Sequence, residues 1–313
     1  MPELPDVELY LHALRPRLLG RPILAIRVAS PFVVRSTRPS PDALVGRVVS
    51  HLRRLGKRIV IGTDGPLLVI HLMVAGRFQW RPPQSPIPRR LGLMAVEVDG
   101  GTLLLTEAGS TRRASVHVMA DPSALVDLDP GGLEVLTATP PQFRERLTRE
   151  RHTLKRSLTD PRLLSGIGNA YSDEILHRAC LSPLRMSDTL DEGEHARIFA
   201  AACSVLAEWR DRLIAEAGDV FPARVTAFRD GMSVHGRFGQ PCPRCGTPVQ
   251  RLRYAANEAN YCPACQTAGR LLADRGLSRL LKEDWPRSLD ELDQRMADAR
   301  RRFGLPGTTE PIQ

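Results

Sequence analysis

No apolar run in this chain approaches the roughly 20 residues needed to cross a bilayer. The N-terminus has neither the cationic start nor the apolar core of a secretory signal. These absences argue against a membrane span and for an intracellular protein, expected in the cytoplasm. In that compartment structural disulfides are rare, so the six cysteines need another explanation. No internal repeat is visible. What the chain does have is positive charge: 44 Lys+Arg stand against 35 Asp+Glu, at a pI near 9.8. The arginines cluster at Arg53-Arg54, Lys57-Arg58, Arg89-Arg90, Arg112-Arg113 and Arg300 to Arg302. Such runs fit a polyanionic partner, although a merely basic protein would carry the same charge.

At 313 residues the chain exceeds a typical single domain. Val7, Leu11, Leu14 and Leu18 fall three or four apart and predict a short amphipathic helix. The pattern then turns to β. Ile23 to Val28, Val48 to Leu52, Arg58 to Ile61, Leu67 to Leu72, Leu93 to Val98 and Thr102 to Thr106 are short and rich in Ile, Val and Leu. Asp64-Gly65 and Asp99-Gly100-Gly101 mark hairpins between them. This predicts an antiparallel sandwich or barrel over roughly residues 20–120, interrupted by a proline-rich loop from Arg81 to Arg90. After Asp129-Pro130-Gly131 the pattern is helical. Thr189 to Glu192 reads as a capping box opening a long helix that ends near Gly218. Residues 270–303 read as helical again, with Ser288 to Glu291 as a second box. There Leu289, Leu292, Met296, Ala299 and Phe303 form one apolar stripe.

Two features carry chemistry. Cys242-Pro-Arg-Cys245 and Cys262-Pro-Ala-Cys265 are C-x-x-C pairs separated by 16 residues, the spacing of a four-thiolate zinc site. A redox dithiol and an iron–sulfur centre are the alternatives. With four thiolate ligands no position is left for substrate, so the expected zinc is structural. Between the pairs, Arg251, Arg253 and Tyr254 face either a phosphate backbone or solvent. Cys180 and Cys203 sit among apolar neighbours and read as buried thiols. The second feature is Pro2-Glu-Leu-Pro-Asp6. Loss of Met1 would expose a proline nitrogen, a secondary amine able to condense with a masked aldehyde, with Glu3 beside it to move protons. The plain alternative is a proline helix start.

Pro2 to Asp6, Arg53-Arg-Leu-Gly-Lys57-Arg, Gly166-Ile-Gly-Asn169-Ala-Tyr-Ser-Asp-Glu-Ile-Leu176 and the late cysteine pairs stand in one order along the chain. Together they resemble the formamidopyrimidine-DNA glycosylase / endonuclease VIII family of base-excision repair enzymes, from residue 2 to about residue 267. The resemblance implies an α+β multidomain protein. It would have an N-terminal antiparallel β-sandwich with an N-terminal helix (1–125), a helix–two-turns–helix domain (132–235) and a four-cysteine zinc finger (236–269), with DNA held between lobes; the helical C-terminal extension (270–313) lies beyond the resemblance. It implies Pro2 as the nucleophile at C1′ of a damaged nucleotide and Glu3 as the acid/base for sugar-ring opening. Lys57 and Asn169 become phosphate ligands, with Lys155 a weaker candidate. The plain readings of Lys57 as a strand lysine and Asn169 as a helix cap stay open. Asp6 stands where the family more often has glutamate.

The pattern breaks at four places. His71-Leu-Met-Val-Ala-Gly76 puts Val74 where the family has the methionine that fills the space of the flipped nucleotide, and Met73 on the opposite face of a strand. The family's Asp-Pro-Arg-Arg-Phe-Gly loop is replaced by Thr106 to Ser115, leaving Arg112 or Arg113 to substitute without an aromatic. Asn257 stands in place of the finger arginine, and a neutral amide forms no charge-assisted clamp on phosphate. The stretch Gly218 to Gly236 is shorter than the loop that covers 8-oxoguanine. The leading expectation is a monomeric DNA glycosylase with abasic-site lyase activity on damaged duplex DNA, cleaving by β- and then δ-elimination. The alternatives are a lyase or unusual-lesion enzyme without 8-oxoguanine recognition, and a non-catalytic DNA-structure-binding protein.

Overall fold

The computed structural model describes residues 1–109, 111–223, 225–226, 228–253, 258–273 and 284–303. Contacts divide the chain into two units. The first comprises Met1–Ala138, Asp160–Gly168 and Leu206–Ala227, and the second comprises Thr139–Thr159, Asn169–Val205 and Phe228–Gln313.

The first unit opens with α1 (Leu4–Leu18) and continues through eight strands: β1 (Ile23–Val28), β2 (Val49–Leu55), β3 (Arg58–Thr63), β4 (Leu67–His71), β5 (Gly76–Arg81), β6 (Gly92–Val98), β7 (Gly101–Glu107) and β8 (Ser115–Met119). They form two separate antiparallel sheets, ordered β1-β6-β7-β5 and β2-β3-β4-β8, so the barrel alternative is set aside. β5 and β8 are strands that periodicity does not predict. In β5 only Phe78 and Trp80 alternate with polar residues, and β8 has just Val116 and Val118 as its buried face. Pro82 to Leu91 is irregular, as expected of this loop, while Arg81 closes β5. Ile59, Val60, Ile61, Leu67, Leu68, Val69 and Ile70 are all buried, each contributing roughly 1.5–3 kcal/mol. Their continuous apolar runs are what two-sided burial requires. α1 is buried on most sides, not along one stripe. It packs on β2 and β3, and Tyr10 stacks edge-on against Phe78 of β5 while its hydroxyl accepts the Phe78 N–H.

Arg54 joins distant parts of this unit. It is almost buried, pairs with Glu8 of α1 (3.1 Å) and Glu134, and donates to the Gly56 carbonyl (2.9 Å) and Ser165 Oγ (3.3 Å). One member of the Arg53-Arg54 run is therefore an internal tie, not surface charge.

In the second unit, α2 (Pro140–Thr148), α3 (Leu154–Thr159) and α4 (Asn169–Ala179) precede α5 (Glu192–Ala217), whose last twelve residues belong to the first unit. The capping box of α5 is Asp191 with Glu194, each accepting the other's backbone N–H (2.7 and 3.0 Å). Thr189 instead lies in a preceding turn, because Asp191 offers a carboxylate at the N-cap where Thr189 offers only a hydroxyl. The hairpin β9 (Gln250–Arg253) and β10 (Glu258–Tyr261) follows, then α6 (Pro263–Thr267) and α7 (Leu289–Phe303). Ser288 Oγ accepts the Glu291 N–H at the start of α7, as the second box predicts. Residues 274–283 of the expected C-terminal helix lie outside the described residues. Cys180 is exposed and Cys203 half-buried. Cys180 takes the left-handed conformation (φ +56°) that ends α4, which turns its thiol out of the core. Among the described residues no helix is long and apolar enough to cross a membrane.

Removing Arg54 leaves part-exposed Glu134 and Glu8, together with Ser165 and the Gly56 carbonyl, without their common donor. Arg54→Leu is expected to cost about 1 kcal/mol, as solvent screens the exposed carboxylates, read as a lowered midpoint in chemical denaturation. An unchanged midpoint would show that the tie carries no stability.

Candidate active site and metal centre

The N-terminus is built into the first unit. Glu3 is extended (φ −113°, ψ −174°) and caps α1, with Pro5 following in the first turn. Its backbone N–H donates to Asp6 Oδ2 (2.9 Å), one half of a capping box, and Asp6 is fully buried. The Glu3 carboxylate, 2% exposed, accepts the Gly168 N–H at 2.6 Å, and the Leu4 N–H donates to the Gly166 carbonyl at 2.9 Å. Two glycines make this docking possible. Gly166 has φ +79°, and a Cβ there would lie 2.8 Å from Leu4 Cβ. A Cβ on Gly168 would lie 2.5 Å from Glu3 Cδ and 2.7 Å from Lys57 Nζ. The acid and the ammonium therefore flank the same point. Lys57 follows Gly56 (φ +60°) in the β2–β3 turn, which brings it there.

The terminal amine, that of Met1, has its pKa lowered. Burial is the largest cause; Arg77 and Lys57 push the same way, against Glu3 and Asp6. His71 lies across the sheet from Arg58. Burial, then the charges of Arg58 and Lys57 and the nearby His117, lower its pKa to about 4, so the ring is neutral at physiological pH.

The segment after β4 is a tight turn and not the strand assumed in placing Met73 and Val74 on opposite faces. The Gly76 N–H donates to the Leu72 carbonyl (2.9 Å), and Met73 is left-handed (φ +53°). Val74 is its tip, 61% exposed. Arg112 and Arg113 are both exposed, on the loop between β7 and β8, and Arg112 donates to the Arg90 carbonyl. Buried Glu107 shapes that loop by accepting the N–H groups of Arg113 (3.0 Å) and Ala114 (3.1 Å).

In the second unit Lys155 differs from expectation. It is 7% exposed, and its ammonium donates to the Asn169 carbonyl (2.7 Å), Ser172 Oγ (2.8 Å) and Asp173 Oδ1 (2.6 Å). All three of its N–H groups are used, so it is an internal cation and not a phosphate ligand. Asn169 starts α4, and its Nδ2 donates to the Glu258 carbonyl of β10 (2.8 Å). The Gly168 N–H, which precedes α4, is taken by Glu3. Asp173 also holds His235 Nδ1 (2.8 Å), while Glu174 accepts the N–H groups of Ser233, Val234 and His235 at 2.7–3.0 Å. On the hairpin, Arg251 lies 4.1 Å over the Phe238 ring and 3.7 Å from Glu258, and Arg253 is exposed. Tyr254 and Asn257 lie outside the described residues.

Cys242, Cys245, Cys262 and Cys265 place their Sγ atoms within 4.8 Å of one another. The closer pairs stand at 3.4, 3.5 and 4.0 Å. A tetrahedral site with metal–sulfur bonds of about 2.3 Å has edges of about 3.8 Å, so the donor set fits zinc. Each knuckle is held locally. The Gly246 N–H (φ +76°) closes the first onto the Cys242 carbonyl, and Gln266 Oε1 accepts the Cys262 N–H in the second.

Sequence reading does not single out Arg54, His71, Arg77, Glu107, Asp173 or Glu174. Arg54, His71, Asp173 and Glu174 stand inside quoted motifs and Arg77 and Glu107 beside turns, but none of these signals names a partner.

Fold and site define a class: a two-sheet unit that presents its own N-terminus to an acid and an ammonium, joined in one chain to a four-thiolate finger. Comparison with known proteins narrows this. Residues 1–112 match the formamidopyrimidine-DNA glycosylase N-terminal domain, 132–210 match the H2TH domain of the same proteins, and 239–268 match the zinc finger found in FPG and IleRS. Formamidopyrimidine-DNA glycosylases of Heliobacterium modesticaldum and Thermus thermophilus are 34% and 33% identical, over 85% and 86% of this chain and all of theirs. That of Symbiobacterium thermophilum is 31% identical over 85% of this chain and 89% of its own length. A solved complex between Lactococcus lactis Fpg and DNA containing an abasic site shares the fold, with TM-score 0.74 and 23% identity over 85% of this chain and 99% of that one. The chain belongs to the formamidopyrimidine-DNA glycosylase family.

Gly168→Ala is expected to overpack the Glu3 contact and cost about 1–3 kcal/mol, checked by thermal unfolding. An alanine tolerated without loss would mean that Glu3 is not held where its carboxylate lies.

Proposed function

We propose that this protein is a base-excision repair enzyme, a DNA glycosylase with abasic-site lyase activity, whose nucleophile is the nitrogen of Pro2 once Met1 is removed. The observation that supports this reading is buried Pro2 beside a Glu3 carboxyl group that flanks one point at Gly168 with the Lys57 ammonium, both of which act on the terminal amine. A secondary amine partly neutral at cellular pH attacks C1′, and the glycosidic bond breaks as the damaged base leaves. Glu3 protonates the ring oxygen, the ring opens, and the sugar carbon is left as an iminium on Pro2. Loss of the C2′ proton then expels the 3′ phosphate, and a second elimination releases the 5′ phosphate. The nucleotide must leave the duplex for this. Lys57, and Asn169 at the start of α4, are read as the groups that hold its phosphates. Lys155 acts only by positioning Asn169, whose carbonyl it binds.

Residues 1–125 are read as the catalytic domain, 132–235 as the helix–two-turns–helix domain, 236–269 as the finger and 270–313 as an extension. The four cysteines hold one zinc, which supplies folding energy and no reacting ligand. Arg251 and Arg253 then present charge to the DNA backbone. The protein is read as a cytoplasmic monomer with no membrane association, acting on damaged duplex DNA and, if the cell is bacterial, associated with the nucleoid. A second reading, a lyase or unusual-lesion enzyme without 8-oxoguanine recognition, is favoured by one observation. The exposed tip is the short Val74, and no aromatic stands among the described residues of the loop carrying Arg112 and Arg113.

Borohydride trapping on duplex DNA with one abasic site tests the proposal. The mature protein, its N-terminus established as Pro2 by mass spectrometry, is expected to form a covalent adduct. Pro2→Gly is expected to lose efficient trapping with DNA affinity nearly intact, and unchanged trapping would overturn the assignment. Cys262→Ser is expected to lose the bound zinc and weaken DNA binding; wild-type protein that contains no zinc on metal analysis would refute that part.

A further inference from the structure

One side of α4 meets the finger along the length of the helix. Asn169, Asp173 and His177 fall four apart and so project from the same side, with Glu174 next to them. Asn169 Nδ2 donates to the Glu258 carbonyl of β10, Asp173 Oδ2 lies 2.8 Å from His235 Nδ1, and Glu174 accepts the N–H groups of Ser233, Val234 and His235. The last of these positions reaches a metal ligand. His177 Nε2 lies 3.2 Å from Cys242 Sγ. Both residues are buried, and Cys242 packs among Val234, Val249 and Cys262. Just past the helix the contacts continue. Arg244, inside the first cysteine pair, donates to Cys180 Sγ, and Gln266, beside the second, donates to the Leu181 carbonyl (2.9 Å). The end of α4 therefore touches both knuckles.

The contact at Cys242 has one chemical direction. A cysteine that binds a metal has lost its proton, so its sulfur can only accept, and the imidazole carries its hydrogen on Nε2. The four sulfurs already make a complete tetrahedral set, so the imidazole serves a sulfur and not the metal. Four thiolates around a doubly charged ion leave negative charge in excess, and here it lies in an apolar cluster. Buried charge persists only when it is paired and hydrogen-bonded. An N–H aimed at Cys242 Sγ takes up part of that charge and fixes the direction in which the sulfur points.

We propose that His177 is a positioning residue of the metal centre: its Nε2–H donates to the Cys242 thiolate, orients that ligand and ties the first knuckle to the end of α4. The proposal rests on the reading of the four cysteines as a zinc site. Loss of an outer partner of this kind typically weakens metal binding about 10–100-fold.

Two measurements on the full-length protein test it. Zinc affinity is read by competition with a chromophoric chelator, and the sulfur-to-metal charge-transfer band is recorded after zinc is replaced by cobalt(II). His177→Leu is expected to weaken zinc binding about 10–100-fold. It is also expected to move the cobalt band to longer wavelength, because a sulfur without its hydrogen bond gives up electron density more easily. His177→Gln, which keeps an N–H donor at the same reach, is expected to bring the band back toward wild type. Glu174→Gln, which loosens the hold of α4 on the segment entering the finger without touching a sulfur, is expected to lower the thermal midpoint and leave the band in place. His177→Phe replaces His177→Leu if the latter does not fold. An unchanged zinc affinity, a leucine band coincident with wild type, or an equal displacement in Glu174→Gln would overturn the role of His177 and leave the zinc reading standing. Wild-type protein that binds neither zinc nor cobalt(II) would bring down both.

Discussion

The docking of the first four residues onto the Gly166–Gly168 loop is the constraint on which the first unit's chemistry depends. Two hydrogen bonds do it, from the Gly168 N–H to Glu3 and from the Leu4 N–H to the Gly166 carbonyl. A free N-terminus is ordinarily among the least ordered parts of a chain. Here the cost of ordering it is met by a charge-assisted bond in a buried setting, by the capping box between Glu3 and Asp6, and by the burial of Leu4 and Val7 behind it. Arg54 fixes the other side of the loop through Ser165 and the other side of α1 through Glu8. One cation thereby sets the distance between the helix that carries the acid and the loop that orients it.

The second unit shows the same logic with different residues. α4 carries a buried Asp173-Glu174 pair, and each carboxylate is fully committed. Asp173 joins Lys155 to His235, and Glu174 caps three successive backbone N–H groups of the segment entering the finger. Buried charges persist only when paired and hydrogen-bonded. For that reason Lys155, which reads from sequence as a surface cation near a phosphate, is the centre of an internal network. The finger is held to its own unit from two directions: Gln266 Nε2 donates to the Leu181 carbonyl, and Asn169 Nδ2 of α4 donates to the Glu258 carbonyl.

Much of this is legible in the sequence where the signal is local. Six of the eight strands of the first unit, α1, α5 and α7 follow from periodicity and turn residues, and the four cysteines follow from spacing alone. Pro2 and Glu3 suggest a chemistry by residue type and Lys57 only through the resemblance, since nothing in five residues says that a terminus is buried. What escapes depends on partners far along the chain. Arg54 and Glu134 are eighty residues apart, and Arg53, its neighbour in sequence, has the same composition signal. Cys180 departs from expectation because the backbone that ends α4 turns it outward, which an apolar neighbourhood does not reveal. The Met73–Val74 segment departs because alternation assumes a strand, whereas Gly76 permits a turn that only a residue without a Cβ can close.

These placements divide the first unit's site into two parts with different freedom to change. Glu3, Asp6, Gly166 and Gly168 are packed so closely that a methyl group at either glycine meets Leu4 or Glu3. A substitution there alters stability together with chemistry. Val74, Arg112 and Arg113 project into solvent from turns whose shape is set by Glu107 and by Arg77, which donates to the Val74 and Gly76 carbonyls, so their side chains contribute little to folding. The exposed turns are therefore free to change where the packed terminus is not. The departures in this chain fall there: a valine tip and a loop with two arginines and no aromatic among its described residues. The supporting residues remain charged and buried or half-buried, which keeps those tips in a defined position while the groups they present differ.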